Sequence, residues 1–527
     1  MDRISRRAAC LSLLALPALP LGAQDPPPAE EPAEEARRPD SFTVYAEAPR
    51  LFLRPARLKL LRRERERQSL RWEQFEGLWT GNAPFDEPGW TAALLYQIAQ
   101  DQAAGRKAVA WAAGPGTDVR QIALVADWCA PLFSGTDQSR IFAKLQRAVN
   151  GPAPKTIGEA RNKVLAAIVL SETQPELAEK TLTAVFDTFW TNTFIANLKS
   201  AKARLPNAEA SAMMELLHAF RDNVSFDLRD TFPAWFKEYP LIHLMAHYPP
   251  PFPAAENEYR IPADIAIDRK GPDLEKAVLS RAAELAMVAY DSNAPETQLL
   301  QGFLMNDRFV MRGTAGIAHE LLWANPYQPG LSYYHVPLAQ HDPIGGQLFV
   351  RSAWEDDASW IGFFEGQLQL FSDGSVTRID PKLSHEPMDI EEATVFFARD
   401  AKSFRVPPRK TEEAIDDVFI VGLEPKRAYH VEVDGLEMVE ETADPGGIVF
   451  LPALPSGAAV RLGLRSAQAA FGGTRRMRNS ADLAAGSESV VREFLRSSGA
   501  VGRGAVRPSN HPFSRARRLQ PERFLKS

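Results

Sequence analysis

Cysteine is nearly absent from this chain: among 527 residues only Cys10 and Cys129 carry a thiol. Cys10 falls in an N-terminal segment that reads as cleaved, so the mature chain is expected to hold one thiol and no internal disulfide. Cys129 follows Trp128 in an apolar helical stretch. No sequence sign of an activating neighbour accompanies it, so it reads as a buried, inert thiol. A glycine-rich phosphate loop, a nucleophile elbow and zinc-finger spacing are also missing, which argues against nucleotide and serine-hydrolase chemistry. The formal net charge of −6 supplies no case for nucleic acid.

The first residues carry an address. Arg3, Arg6 and Arg7 precede an apolar run from Cys10 to Leu21, and Leu21-Gly22-Ala23 offers small residues for cleavage. The run is shorter than the ~20 apolar residues of a transmembrane helix, and its layout is that of a secretory signal over 1–23. Ser5-Arg6-Arg7 matches only part of a twin-arginine pattern, so the general secretory route to a periplasmic or extracellular location is the expectation. No stable membrane span is expected. Residues 24–42, rich in Pro, Glu and Ala, read as a linker.

From 43 to 335 the signals are helical. Arg54-Pro55 opens a helix, Pro suiting its first turn. Apolar-periodic segments follow at about 89–112, 117–133, 137–149, 157–172, 175–198, 207–221, 232–248, 272–290 and 296–323. Short breaks at Gly114-Pro115-Gly116, Gly151-Pro152 and Pro249-Pro250-Pro251 favour antiparallel helix pairs. An incomplete α/α toroid of helical hairpins and a globular bundle fit this periodicity equally. The pattern changes near Gly345. Gln347–Arg351, Ser359–Phe364, Leu368–Phe371 and further short apolar runs predict a small antiparallel, sandwich-like β domain over 345–465. Residues 466–527 hold twelve Lys or Arg against four Asp or Glu and read as a basic, disordered tail.

Two stretches then stand out: Pro49-Arg50-Leu51-Phe52-Leu53-Arg54 ahead of a helix, and Leu348-Phe349-Val350-Arg351-Ser352-Ala353-Trp354 followed by Ala358-Ser359-Trp360. With the order signal, helices, β domain, they make residues 48–465 resemble the heparinase II/III-like polysaccharide lyases. The resemblance implies a toroid-plus-β fold and a lyase acting on an acidic, uronate-containing glycan. It also implies a histidine-rich segment after the first β hairpin. Here that stretch is Phe371-Ser372-Asp373-Gly374-Ser375-Val376, with no histidine. Fold therefore transfers more safely than activity, and an inactive glycan-binding or cell-envelope protein is the competing expectation.

A β-elimination on a uronate needs a base for the proton beside the carboxylate, an acid for the leaving oxygen, and donors or cations for the enolate-like charge. Tyr239, His243 and His247, spaced i, i+4, i+8, supply such groups on one helix face, with Trp235 expected beside them as a substrate contact. Pro240 should kink or restart that helix. Tyr259 and Arg260 follow the Pro-rich loop and are expected at the same cleft. A second aromatic and polar group comprises Trp323, Asn325, Tyr333, Tyr334 and His335, with Tyr334 and His335 as an alternative acid/base pair and the others as sugar contacts. Asn223 is a candidate contact to a substrate carboxylate, or a helix cap. Glu355-Asp356-Asp357 leaves glycoside hydrolysis by paired carboxylates open. His243-x-x-x-His247 has the spacing of a metal pair but lacks the zincin glutamate, so no metal and no cofactor are expected.

Overall fold

The computed structural model describes residues 39–464 apart from 46, 201–204, 251, 253–259, 268–272, 308–310, 382–386, 391–392, 398–402, 410–414 and 437. The expected signal at 1–23, most of the linker at 24–42 and the basic tail at 466–527 lie outside these residues.

Helices come first: α1 (Pro55–Glu66), α2 (Leu70–Thr80), α3 (Pro88–Ala99), α4 (Gln102–Ala113), α5 (Val119–Trp128), α6 (Gly135–Val149), α7 (Ile157–Leu170), α8 (Pro175–Ala184), α9 (Ala210–Val224), α10 (Pro233–Met245), α11 (Leu274–Tyr290), α12 (Pro295–Asp307) and α13 (Ile317–Trp323). Local chemistry sets their ends. Proline occupies the first turn of α1, α3, α8 and α10, where its missing N–H costs nothing. Ser134 and Asp137 form a capping box at the start of α6.

The segment expected as one helix over 89–112 is two. Gln100 takes a left-handed φ of 60°, and the Asp101 carboxylate accepts from Ala103 N and Ala104 N to start α4. The stretch 296–323 likewise divides into α12 and α13. In contrast, α8 runs on through a π-helical stretch, Val185–Ile195, to Lys199. Helix α10 also passes through Pro240 without restarting, although Pro240 has no N–H to offer the Phe236 carbonyl. Contacts lead from α3 to α5, α7, α9, α11 and α13, and α13 returns to α2.

Strands follow: β1 (Ala339–Asp342), β2 (Gln347–Arg351), β3 (Trp360–Phe364), β4 (Gln367–Ser372), β5 (Ser375–Ile379), β6 (Met388–Ile390), β7 (Ala393–Phe397), β8 (Ser403–Arg405), β9 (Ile415–Val421), β10 (Ala428–Val433), β11 (Met438–Thr442), β12 (Val449–Pro455) and β13 (Ala459–Leu464). The α-then-β order is as expected. The β half is richer than an antiparallel sandwich, because its strands form three sheets, ordered β1-β2-β3-β4-β5, β12-β9-β7-β6 and β11-β10-β13-β8. One pair, β7 with β9, is parallel.

Period-two alternation explains the layering. On the first sheet, Phe349, Trp360, Phe364 and Phe371 belong to the helical core, while Leu348, Val350, Ile361 and Phe363 pack against the second sheet. The second sheet is apolar on both faces. Val395, Phe397, Phe419 and Val421 meet the first sheet, whereas Phe396, Val418 and Ile420 pack with Tyr429, Val431 and Val460 of the third. A strand apolar on both faces needs cover on both sides, and the third sheet provides it. Hydrogen bonds lock the first sheet to the helices. Trp360 Nε1 donates to Met245 O at 2.8 Å, and Tyr248 Oη donates to Gln369 Oε1 at 2.5 Å.

Candidate functional site

Helix α10 ends near the first sheet. Its last turns and the residues after it place Tyr239, His243 and His247 against α11, whose buried face carries Ser280, Arg281 and Glu284. The side chains meet in a closed knot: His243 and Glu284 are 0% exposed and His247 1%. Both His243 Nε2 and His247 Nε2 lie 3.8 Å from Glu284 Oε1. Ser280 Oγ stands 3.1 Å from His243 Nε2 and 2.9 Å from His247 Nε2. His247 Nδ1 lies 2.8 Å from the His243 carbonyl. A carbonyl only accepts, so His247 carries its proton on Nδ1 and its Nε2 accepts from Ser280. The Ser280 oxygen then accepts from His243 Nε2, and His243 Nδ1 accepts from Tyr239 Oη at 3.4 Å. The hydrogen bonds thus link Tyr239, His243, Ser280 and His247 in one chain.

Charge surrounds this relay. Arg260 pairs with Glu284 Oε1, and Arg281 Nη1 stands 3.4 Å from Glu284 Oε2. Burial opposes ionisation of Glu284, but the nearby Arg260 cation overrides it and holds the carboxyl at about 2. Burial, then the charge of Arg260, depresses His247 well below the ordinary histidine range. Trp235 stacks on Tyr239 with ring centres 4.6 Å apart.

Arg260 also reaches a second group. Its guanidinium lies 4.3 Å from the Phe303 ring centre. Phe303 on α12 packs edge-on against Tyr333 at 5.3 Å and against Trp354 at 5.7 Å. Tyr333 stacks with Tyr334 at 4.3 Å and accepts from Asn306 Nδ2 at 2.9 Å. Burial, followed by its hydrogen bond with Tyr334, holds the Tyr333 phenol protonated well above its usual range. Tyr334 is 59% exposed, and His335 is exposed too. Beneath this ledge Arg351, at the end of β2, lies 4.7 Å from the Trp354 ring centre and donates to Ala353 O at 3.3 Å. Burial, with the Arg260 charge added, pushes Arg351 down to about 9. Among the described residues Arg351 has no carboxylate within ion-pair distance.

The structure therefore joins Tyr239, His243, His247 and Trp235 in one cluster and Tyr333 and Tyr334, with His335 next in the chain, in another; Arg260 pairs with Glu284 of the first and reaches the second through Phe303. It places other candidates elsewhere. Trp323 is buried between Phe52 and His218. Asn325 accepts from Gln301 Nε2 at its main-chain oxygen and from Tyr327 N at Oδ1. Asn223 is buried on α9, where Nδ2 donates to Ala219 O at 2.9 Å; it neither caps the helix nor faces the knot. Tyr259 lies outside the described residues. The sequence offers no pointer to Phe303 or Asn306, points to Ser280 and Glu284 only through their helix, and shows Trp354 only within a strand motif. The one available signal was charge and hydroxyl on the buried face of an otherwise apolar α11. Arg351 was quoted only as part of a strand motif.

No family model matches the chain, and no curated protein matches it. Solved structures that align with it include one named "Glycoside hydrolase", at 9% identity over 72% of this chain and 71% of that one, with a TM-score of 0.26. An overlap at that score decides neither fold nor activity.

Proposed function

We propose that the chain is an exported protein that takes an acidic glycan at the ledge between helices and first sheet and cleaves it by β-elimination. The observation that carries this reading is that one aromatic group holds two guanidiniums, Arg260 over Phe303 and Arg351 over Trp354. Arg260 and Arg351 are close enough for one charge to depress the other, and Arg351 has no carboxylate partner among the described residues. A uronate carboxylate would relieve that imbalance, while the exposed ring of Tyr334, backed by the buried Tyr333, offers a face for a sugar ring. In this reading His335 removes the proton beside the carboxylate. Arg351 and Arg260 hold the charge that develops. Tyr334, with its phenol exposed, protonates the leaving oxygen. The contact path from α3 through α13 back to α2 supports an incomplete α/α toroid, the scaffold the heparinase-like resemblance implies.

A second reading, glycan binding without turnover, is favoured by the sealing of His243 and His247, which leaves the best-placed imidazoles out of a substrate's reach. Incubation of the full chain with a panel of uronate polysaccharides separates the two readings. Lyase action yields unsaturated products with new ultraviolet absorbance. Binding by calorimetry without that absorbance selects the second reading, and neither signal from folded protein removes both.

A further inference from the structure

We propose that His243, His247 and Glu284 form a buried site for a divalent transition metal of the zinc class, with Ser280 as its fourth donor. Donors around a tetrahedral zinc at ~2.0–2.1 Å stand about 3.3–3.4 Å apart. The distances among Nε2 of His243, Nε2 of His247, Oγ of Ser280 and Oε1 of Glu284 are 2.9, 3.1, 3.8 and 3.8 Å where paired. All three titratable ligands can bring one donor atom within 4.8 Å of the others. Two imidazoles and a carboxylate suit zinc or cobalt better than magnesium or calcium, which prefer oxygen.

The surroundings supply the outer contacts that such ligands need. His247 is held by donation from Nδ1 to the His243 carbonyl, which leaves Nε2 unprotonated, its lone pair now taken by the Ser280 hydroxyl and open to a metal instead. His243 Nδ1 faces Tyr239 Oη. On loading, the His243 proton moves from Nε2 to Nδ1 and is donated to that phenol oxygen, so the ring stays neutral. A bound metal ligand with its other nitrogen anchored in this way keeps its orientation. The opposing charge is Arg260. It must leave Glu284 Oε1, and the Phe303 face it already overlies gives it a resting place. Arg281 remains on Oε2. The metal thus competes with an ion pair, and the knot is either a metal centre or a hydrogen-bond relay.

The test uses the full chain, because the knot is sealed and metal has to be offered during folding. Protein refolded from urea with Zn2+ or Co2+, then passed through a desalting column, is assayed for bound metal and for visible absorption. The expected result is about one metal per chain, tetrahedral Co2+ bands, and a higher thermal midpoint than protein refolded with chelator. His247→Gln should abolish the Co2+ bands, and Tyr239→Phe should weaken affinity roughly tenfold, the lower end of what a lost outer contact costs. Folded wild-type protein that retains no metal overturns the proposal. So do octahedral Co2+ bands, or tetrahedral bands indifferent to His247→Gln. The wild-type refolding decides even where a variant fails to fold, and it stands or falls independently of any glycan result.

Discussion

The two clusters that meet at Arg260 hold the same kinds of side chain under opposite conditions. In the knot, His243, His247 and Glu284 are sealed, and each polar atom is positioned by another. On the ledge, Tyr334 and His335 face solvent while the cations lie underneath. The comparison teaches that residue type and spacing name the chemistry, whereas burial decides whether a group organises protein or meets a ligand. Histidines at i, i+4 looked like the prime acid/base pair; the structure closes them off and leaves the later tyrosine and histidine open.

The largest effect that tests this contrast belongs to Glu284→Gln. Removing one partner of a buried ion pair leaves the opposing charge less compensated, here that of Arg260 and Arg281, and such losses run to about 3–5 kcal/mol. Urea unfolding should show the drop in midpoint. A loss below ~1 kcal/mol would mean that the knot contributes little to folding.

The helices were readable because their signals are local. Pro55, Pro175 and Pro233 each sit in a first turn, and apolar periodicity marks the rest. The break at Gln100 was missed although Asp101 is an N-cap residue, because the apolar pattern continues across it. The third sheet was missed for a different reason. The two-faced apolar character of β7 and β9 shows that a sheet is covered on both sides, but not what covers it. At the site, the His243/His247 spacing was visible. Glu284 and Ser280 lie on another helix, and only packing brings them to the imidazoles. Arg260 was expected at a cleft and instead links the two clusters.

An intermediate effect comes from acid. Burial opposes ionisation of Glu87, but the Arg120 cation at 2.9 Å and a hydrogen bond with His319 hold its carboxyl far below the usual range. Burial opposes ionisation of Asp222 too, but hydrogen bonding to His218 and the Arg221 cation outweigh it. For an acid depressed in the folded state, the stabilisation is complete above the unfolded value near 4 and disappears as pH falls. Denaturant midpoints should therefore fall steadily from about pH 5 to pH 2. In Glu87→Gln the midpoint at pH 7 should start lower and the acid slope should be shallower. An unchanged slope would show that Glu87 titrates alike in both states.

The smallest effect on stability should accompany the largest on ligand. Tyr334→Ala removes a ring that is 59% exposed and stacked on one neighbour. Surface truncations of this kind usually stay within about 0.5 kcal/mol. An aromatic face at the centre of a binding surface, by contrast, is often worth 2 kcal/mol or more, or about thirtyfold in affinity. The Tyr334→Ala chain should thus unfold at almost the wild-type denaturant concentration while losing at least tenfold in affinity for a uronate oligosaccharide, measured by calorimetry. Glu284→Gln, measured beside it under mild conditions where both fold, should lose stability first and affinity less. If the two variants exchange these profiles, the ledge is packing and the knot is where ligand acts, and the contrast between the clusters is the reverse of the one drawn from burial.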